Sequence, residues 1–492
     1  MEQKPLLVHA IINGEKVTSG KQYPRENPAN PSEVVGYAPI NTREEAKAAI
    51  DAAADAFRTW SKTSLDERIE RMRRAIQKLR DGAPEIAELL SREHGKPLYD
   101  AQGEIFVSIM WMEHACSIVK SVLQEKVQEH DHGKTIVSYD PMGVVSAIFP
   151  WNYPISLSTI KIAPAVLTGN TIVLKPSPFA PLAVSQVIEW IAEEFPPGVV
   201  NMVHGETDVG IELTTNPKVA KIAFTGGTET GKHIMQAASA TIKKVTLELG
   251  GNDAAIFLPS FDVNDKQAMR RIVISNFLNN GQICMIAKRM YVHRSIYPAF
   301  VEKYKEAANQ WIRIGSPLNP SVTMGPVNNL AQLNFVKSLI GDAINEGAEV
   351  IALGQILEPD TFENGYFIQP TLVLNAGYES RIVAEEQFGP TVPVLPYDDE
   401  DQVISLVNDS IYGLTSSVWG EQEHAVCVAR RIEAGTTMIN TAAIMGLDVR
   451  FPFGGVKQSG IGREYGEEGL LGYVETHVIN VPTILDLPHI PD

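Results

Sequence analysis

Cysteine is scarce in this 492-residue chain: Cys116, Cys284 and Cys427 are the only three. A disulfide framework is therefore not expected to hold the fold together, and a reducing cytoplasm is the expected setting. None of the three belongs to a Cys-x-x-Cys pair. His130 and His132 are near neighbours, but no further metal-ligand cluster joins them, so they read as part of a solvated loop, and no metal is expected. Positive charge is also short. Lys and Arg number 42 against 59 Asp and Glu, a formal net charge of −17, which argues against nucleic acid or an anionic membrane surface as partner. No basic-plus-apolar leader opens the chain, and no uninterrupted apolar run is long enough to span a bilayer. Repeats and low-complexity tracts are missing as well.

What is present is a 44% hydrophobic chain too long for one ordinary core, so two or three domains are expected. Residues 43–60 carry apolar positions at helical spacing, with Thr42 as N-cap and Glu45 placed for a capping box. Helical patterns continue over Leu65–Arg80 and Pro84–Glu93, with Gly82 expected to break between them. The pattern then changes to short β-branched runs at Val144–Phe149, Thr171–Leu174, Val199–Val203, Lys221–Thr225, Val245–Leu249 and Ala254–Leu258. Helical segments at 180–194 and 230–240 separate some of them. Such alternation predicts an α/β fold with a parallel, doubly wound sheet. A second α/β series follows residue 263, with a helical run at 264–279 and strands near 290, 371, 392 and 417.

Three residues sit in contexts that packing alone does not explain. Glu248 lies among apolar residues at the end of a strand that closes in Gly250-Gly251, where a charge is costly unless it has a partner or a task. Cys284 follows the polar break Asn279-Asn280-Gly281-Gln282, which predicts an exposed, loop-borne thiol. Asn152 is held between Pro150 and Pro154. A thiol, a carboxylate and a fixed amide are a nucleophile, a base and an oxyanion donor. Each has a plainer reading: a core cysteine, a strand-end carboxylate paired to Lys243 or Lys244, and a turn asparagine. Cys116 and Cys427 lie in helical patterns and read as core cysteines.

These segments, in this order, resemble the aldehyde dehydrogenase superfamily. The resemblance covers nearly the whole chain and includes Leu174–Ser177, Phe224–Gly231, Glu385–Pro390 and Pro452–Gly460. It implies a Rossmann-like cofactor domain (1–120 and 142–249), an α/β catalytic domain (250–457) and a small oligomerisation extension (121–141 and 472–492). A cytoplasmic homodimer or homotetramer follows. The implied reaction oxidises an aldehyde to its acid with NAD or NADP through a thioester on Cys284. Asn152 would hold the oxyanion with the Cys284 N–H, and Glu248 would activate water. Members that pass the acyl group to coenzyme A generally lack this glutamate. A coenzyme A-acylating enzyme, a semialdehyde dehydrogenase for an anionic substrate and a non-catalytic protein on the same fold are the rivals.

The cofactor residues implied are Phe149, Trp151, Lys175, Ser177, Pro178, Gly226, Gly227, Gly231, Leu249, Gly250, Glu386 and Phe388. Gly226–Lys232 resembles a P-loop, but His233 stands where Ser or Thr would bind Mg²⁺. The turn instead follows a strand and opens a helix, an arrangement that suits a pyrophosphate. Many NAD-preferring members have glutamate where this chain has Pro178, so NADP is permitted. Tyr153, Leu157, Ile160, Ile283, Met285, Phe451 and Phe453 are expected to wall an apolar tunnel for the substrate. Arg450 beside them either anchors an acidic aldehyde or is simply solvated or salt-bridged.

Overall fold

Two α/β units carry the chain, each with a largely parallel sheet whose central strands are buried on both faces. The computed structural model describes residues 4–18 and 20–483. The first sheet has eight strands in the order Gly460–Ile461, Lys244–Glu248, Val219–Thr225, Val144–Ile148, Thr171–Lys175, Val200–Met202, Ala10–Ile12 and Glu15–Val17. Its five central strands are parallel, and both edges are antiparallel. The second sheet has seven, in the order Glu349–Ala352, Thr371–Leu374, Thr391–Tyr397, Ala287–His293, Asp253–Phe257, Thr415–Trp419 and Thr436–Ile439. Only its first-named edge strand is antiparallel. Continuous runs such as Ile172-Val173-Leu174 and Ile256-Phe257 are fully covered, as strands under helices on both faces must be.

The helix Arg43–Trp60 begins at Thr42 with the capping box that its sequence predicts, Thr42 Oγ1 accepting from Glu45 N–H while Glu45 reaches back to Thr42 N–H. Gly82 does not break the next helix. Leu65–His94 is continuous through Gly82 and Pro84 and ends at Gly95, whose φ of 94° is a left-handed cap. Gly82 serves close approach instead: a Cβ there would stand 2.2 Å from the ring of Trp190. The helix Leu98–Val122 is long and apolar enough to cross a membrane, the only such helix among the described residues. Here it is a core helix, burying Ala101, Ile105, Trp111, Met112 and Cys116. Cys427 departs from the core reading. It is exposed on the helix Gln422–Ala429, whose buried face is carried by Ala425 and Val428.

A third, three-stranded sheet joins Lys126–His130, Gly133–Pro141 and Val474–Pro482, all antiparallel. It is built from the two segments expected to form an extension, although residues 484–492 lie outside the described ones. Val127, Val478, Ile479 and Val481 stand exposed on it. His130 ends the first strand of this hairpin, and His132 sits in its turn. The strands near the N-terminus, Gln22–Asn27 and Asn30–Pro39 among them, have no counterpart in the sequence reading, because prolines and polar residues interrupt any regular apolar alternation in them.

Gly82→Ala should destabilise the protein by about 1–3 kcal/mol, because the methyl must displace a packed indole. Chemical denaturation checks this; a midpoint equal to the wild type would show that Trp190 yields freely.

Candidate active site

The thiol is delivered by a loop with an unusual backbone. The helix Lys266–Phe277 ends, and Asn279, Asn280 and Gly281 follow with φ of 51°, 58° and 71°. Three consecutive left-handed residues suit Asn and Gly and almost nothing else. Side-chain amides hold the loop. Asn280 Nδ2 donates to Gly325 O at 2.6 Å, Gln282 Nε2 to Asn279 O at 3.0 Å, and Asn328 N–H to Gln282 Oε1 at 2.9 Å. The polar break is thus buried, and Cys284 is half-covered against the apolar core rather than freely exposed. Burial pushes its thiol well above the usual thiol range, and the carboxylates of Glu386, Glu248 and Asp253 add to the rise.

Asn152 lies between the strand Val144–Ile148 and the helix Pro154–Leu167, and is buried. Its Nδ2 donates to the carbonyl of Gln282 at 3.1 Å, two residues from the thiol. The amide therefore retains one N–H for another acceptor.

Glu248 ends the strand Lys244–Glu248 with both carboxylate oxygens buried and without a hydrogen bond among the described residues. Burial raises its pKa well above the ordinary carboxylate value, the nearby Glu464 raises it further, and Lys161 and Arg463 oppose. The plainer pairing is absent. Lys243 Nζ donates to the carbonyls of Asn216 and Val219 at 2.7 and 2.9 Å, and Lys244 faces Glu475 at 3.3 Å. Glu464 is tied instead to Lys161 at 2.8 Å, which also donates to Thr225 Oγ1 at 2.7 Å. Neither Lys161 nor Glu464 was among the sequence candidates. Their one signal is a lysine inside the apolar stretch Ile160–Val166.

A cradle opens beside these groups. Gly226 and Gly227 turn from the strand Val219–Thr225 into the helix Thr228–Ser239, with Gly226 N–H donating to Glu248 O at 3.0 Å. Gly227 caps the helix without a side-chain bond, and a Cβ there would meet nothing within 4 Å. At Gly231 a Cβ would stand 2.6 Å from Leu249, so helix and strand touch through this glycine. Lys175 is buried at its strand end, with burial bringing its pKa down to about 8 against the attraction of Glu206. Ser177 is half-buried and Pro178 exposed just beyond. Opposite, Glu386 Oε1 accepts from Gly251 N–H at 2.9 Å, and a Cβ at Gly250 would come within 2.7 Å of Oε2. Burial raises Glu386 to about 7. Phe388 sets its ring edge-on to Trp151 at 5.5 Å, and Phe149 is buried behind them. Open N–H groups at a helix start, a buried ammonium and a carboxylate across from them suit the pyrophosphate and hydroxyls of a dinucleotide.

Of the expected tunnel walls, Tyr153, Ile160, Ile283, Met285 and Phe453 are buried in one apolar cluster with Leu157 and Cys284 packed against it. Trp111, Tyr465, Ile444 and Leu447 belong to the same cluster and were missed, since they come from distant segments. Phe451 lies outside it, 62% exposed. Arg450 is exposed and closes on Asp448, Nη2 to Oδ2 at 2.5 Å, which holds that carboxyl down at about 2. The salt-bridged alternative for Arg450 is the one found.

Comparison with known proteins agrees with this geometry. The aldehyde dehydrogenase family model matches residues 16–479. The NADP⁺-dependent succinate-semialdehyde dehydrogenase of Escherichia coli is 36% identical over 95% of this chain and 96% of its own. The lactaldehyde dehydrogenase of the same organism is 37% identical over 92% and 94%. The structure of betaine aldehyde dehydrogenase from Staphylococcus aureus, in complex with NAD⁺, superposes with a TM-score of 0.90 at 32% identity, covering 96% of this chain and 95% of that one. The chain belongs to the aldehyde dehydrogenase family. It is an NAD(P)⁺-dependent oxidoreductase that oxidises an aldehyde to a carboxylic acid.

Alkylation of Cys284 by iodoacetamide in the free protein should keep accelerating with pH beyond about 9.5, where an ordinary thiol of pKa about 8.5 is mostly ionised. Glu386→Gln should shift that profile to lower pH by removing a neighbouring negative charge. A plateau at the ordinary thiol value would contradict the electrostatic picture.

Proposed function

We propose that Cys284 is the nucleophile, Asn152 the oxyanion donor and Glu248 the base of a hydrolytic aldehyde dehydrogenase. The observation that carries the reading is convergence: residues from three separate segments meet where Asn152 Nδ2 touches Gln282 and Glu248 acts electrostatically on the Cys284 thiol. The thiol gives its proton to solvent water, and the sulfur adds to the aldehyde carbon. The carbonyl oxygen takes the electron pair and is held by the remaining Asn152 N–H and the Cys284 backbone N–H. The Gly226–Gly227 turn, Lys175 and Glu386 would hold the dinucleotide, whose oxidised nicotinamide would accept the hydride. The resulting acyl group is a thioester on Cys284. Glu248 then removes a proton from water as the oxygen attacks the acyl carbon, and sulfur leaves. The apolar wall around Cys284 keeps other water out while the acyl group waits.

Glu248 supports water rather than a second thiol as the final acceptor. The pairing of Arg450 with Asp448 leaves an anionic aldehyde without its one suggested anchor, and the relatives named above act on both charged and neutral substrates. The exposed valines and isoleucine on the third sheet support docking with a second copy as a homodimer or a larger homo-oligomer. The free cysteines support a cytoplasmic setting.

Cys284→Ala should abolish turnover while the cofactor still binds, and Glu248→Gln should reduce one equivalent of cofactor per site and then stall. Because the Glu248 carboxyl holds its proton well above the usual range, wild-type hydrolysis should keep quickening as pH rises beyond the range in which an ordinary carboxylate titrates. Glu248→Gln should lose that rise. Rapid mixing at several pH values checks these; full steady-state activity in Glu248→Gln would exclude it as the base.

The exposed Pro178 beside Lys175 removes a charge that would repel a 2′-phosphate, so NADP⁺ should be used at a measurable rate. Pro178→Glu should move the balance toward NAD⁺. Parallel assays at 340 nm decide it, and a wild type inert with NADP⁺ would assign the exclusion to another group.

A further inference from the structure

A buried ion pair lies behind the site, and the mechanism above does not use it. Lys96 and Glu104 are fully withdrawn from solvent, with Nζ 2.6 Å from Oε2. Such a pair is a poor source of stability, since desolvation offsets most of the attraction. Its other contacts point to a task. Lys96 Nζ also donates to the Asn152 carbonyl at 2.8 Å and stands 3.9 Å over the Tyr153 ring. Glu104 Oε1 accepts from the N–H groups of Ile155 and Ser156 at 2.7 and 3.2 Å, in the first turn of the helix Pro154–Leu167. The pair therefore grips Asn152 from two sides, at its own carbonyl and at the helix that follows it.

The thiol loop is tied to the same point. The Asn152 carbonyl also accepts from Asn279 Nδ2 at 3.0 Å. Asp100, one turn before Glu104 on the same helix, accepts from Asn279 N–H at 3.3 Å. The segment from Lys96 to Glu104 thus holds the loop of the amide and the loop of the nucleophile in one frame.

We infer that Lys96, neutralised by Glu104, is a positioning residue that fixes the Asn152 amide against Cys284 by way of the Asn152 carbonyl. The inference rests on the reading of Asn152 as the oxyanion donor. A displacement of about 1 Å at a reacting centre can cost on the order of 100-fold in rate. Loss of the grip therefore acts on acylation and leaves cofactor binding alone.

The test is single-turnover cofactor reduction at saturating aldehyde. Lys96→Met with Glu104→Leu removes both charges, so neither is stranded in the core. This pair of exchanges should slow the burst by on the order of 10–100-fold. Cofactor affinity by fluorescence titration and the thermal midpoint should remain near wild type. Combined with Asn152→Ala it should add almost nothing, because both changes remove the same interaction. Lys96→Arg keeps the charge but replaces a compact donor with a wide planar one. It carries the same two expectations and serves where the double exchange does not fold. A wild-type burst in either folded variant overturns the inference, as do losses that multiply with that of Asn152→Ala. An unchanged burst in Asn152→Ala alone overturns the oxyanion reading first, and the positioning inference with it.

Discussion

Ionisable groups gathered in an apolar interior are the constraint on which this molecule turns. Glu248, Glu386 and Asp253 all bear on one thiol, and burial raises the pKa of each of them. A site of this kind stands only if each acid is either neutral or firmly bonded. Asp253 is bonded to Thr415, and Glu386 to the Gly251 N–H, while Glu248 meets its burial by keeping its proton. The ammonium groups nearby are spoken for: Lys161 by Glu464, and Lys288 by the Gly389 carbonyl. The fold supplies the dry interior, and the dryness sets the protonation states from which the chemistry starts.

The same interior explains why the loops at the site are so heavily bonded. Backbone that leaves regular structure inside a protein must find partners elsewhere. Asn279, Asn280, Gln282 and Asn328 provide them, each through a side-chain amide. Rigidity in the loop before Cys284 is therefore a by-product of satisfying polar atoms out of water. The glycines act in the complementary way. Gly231, Gly250 and Gly281 remove side chains where Leu249, Glu386 and Gly389 must come close.

What the sequence made legible was whatever is local. The capping box at Thr42, the strand runs 171–174 and 221–225 and the Gly turn after Thr225 are short-range patterns, and each is found. The α/β class followed from them, and the family from the ordered motifs. Long-range facts were not legible. Gly82 looked like a break because its partner, Trp190, is more than a hundred residues away. Lys161 with Glu464, and Lys96 with Asn152, join positions that no window of sequence connects. Arg450 was open between two readings, and the ion pair it forms with Asp448 came from the structure rather than the sequence. Phe451 resembled a wall residue because it lies two positions from Phe453, yet the first is exposed and the second buried, a difference that the local pattern does not show.

The strand that carries Glu248 has one more neighbour, Gly460–Ile461, which pairs antiparallel with Leu247 and Glu248. That partner is translated more than two hundred residues after the strand it completes. While the ribosome is still reading the intervening half, the first sheet has an open edge at its catalytic end. Pairings across so long a loop form late, since their closure entropy must be met before any contact rewards it. The order of synthesis thus leaves one side of the Glu248 strand unpaired until the second α/β unit has emerged, although its register against Val219–Thr225 is available from the start.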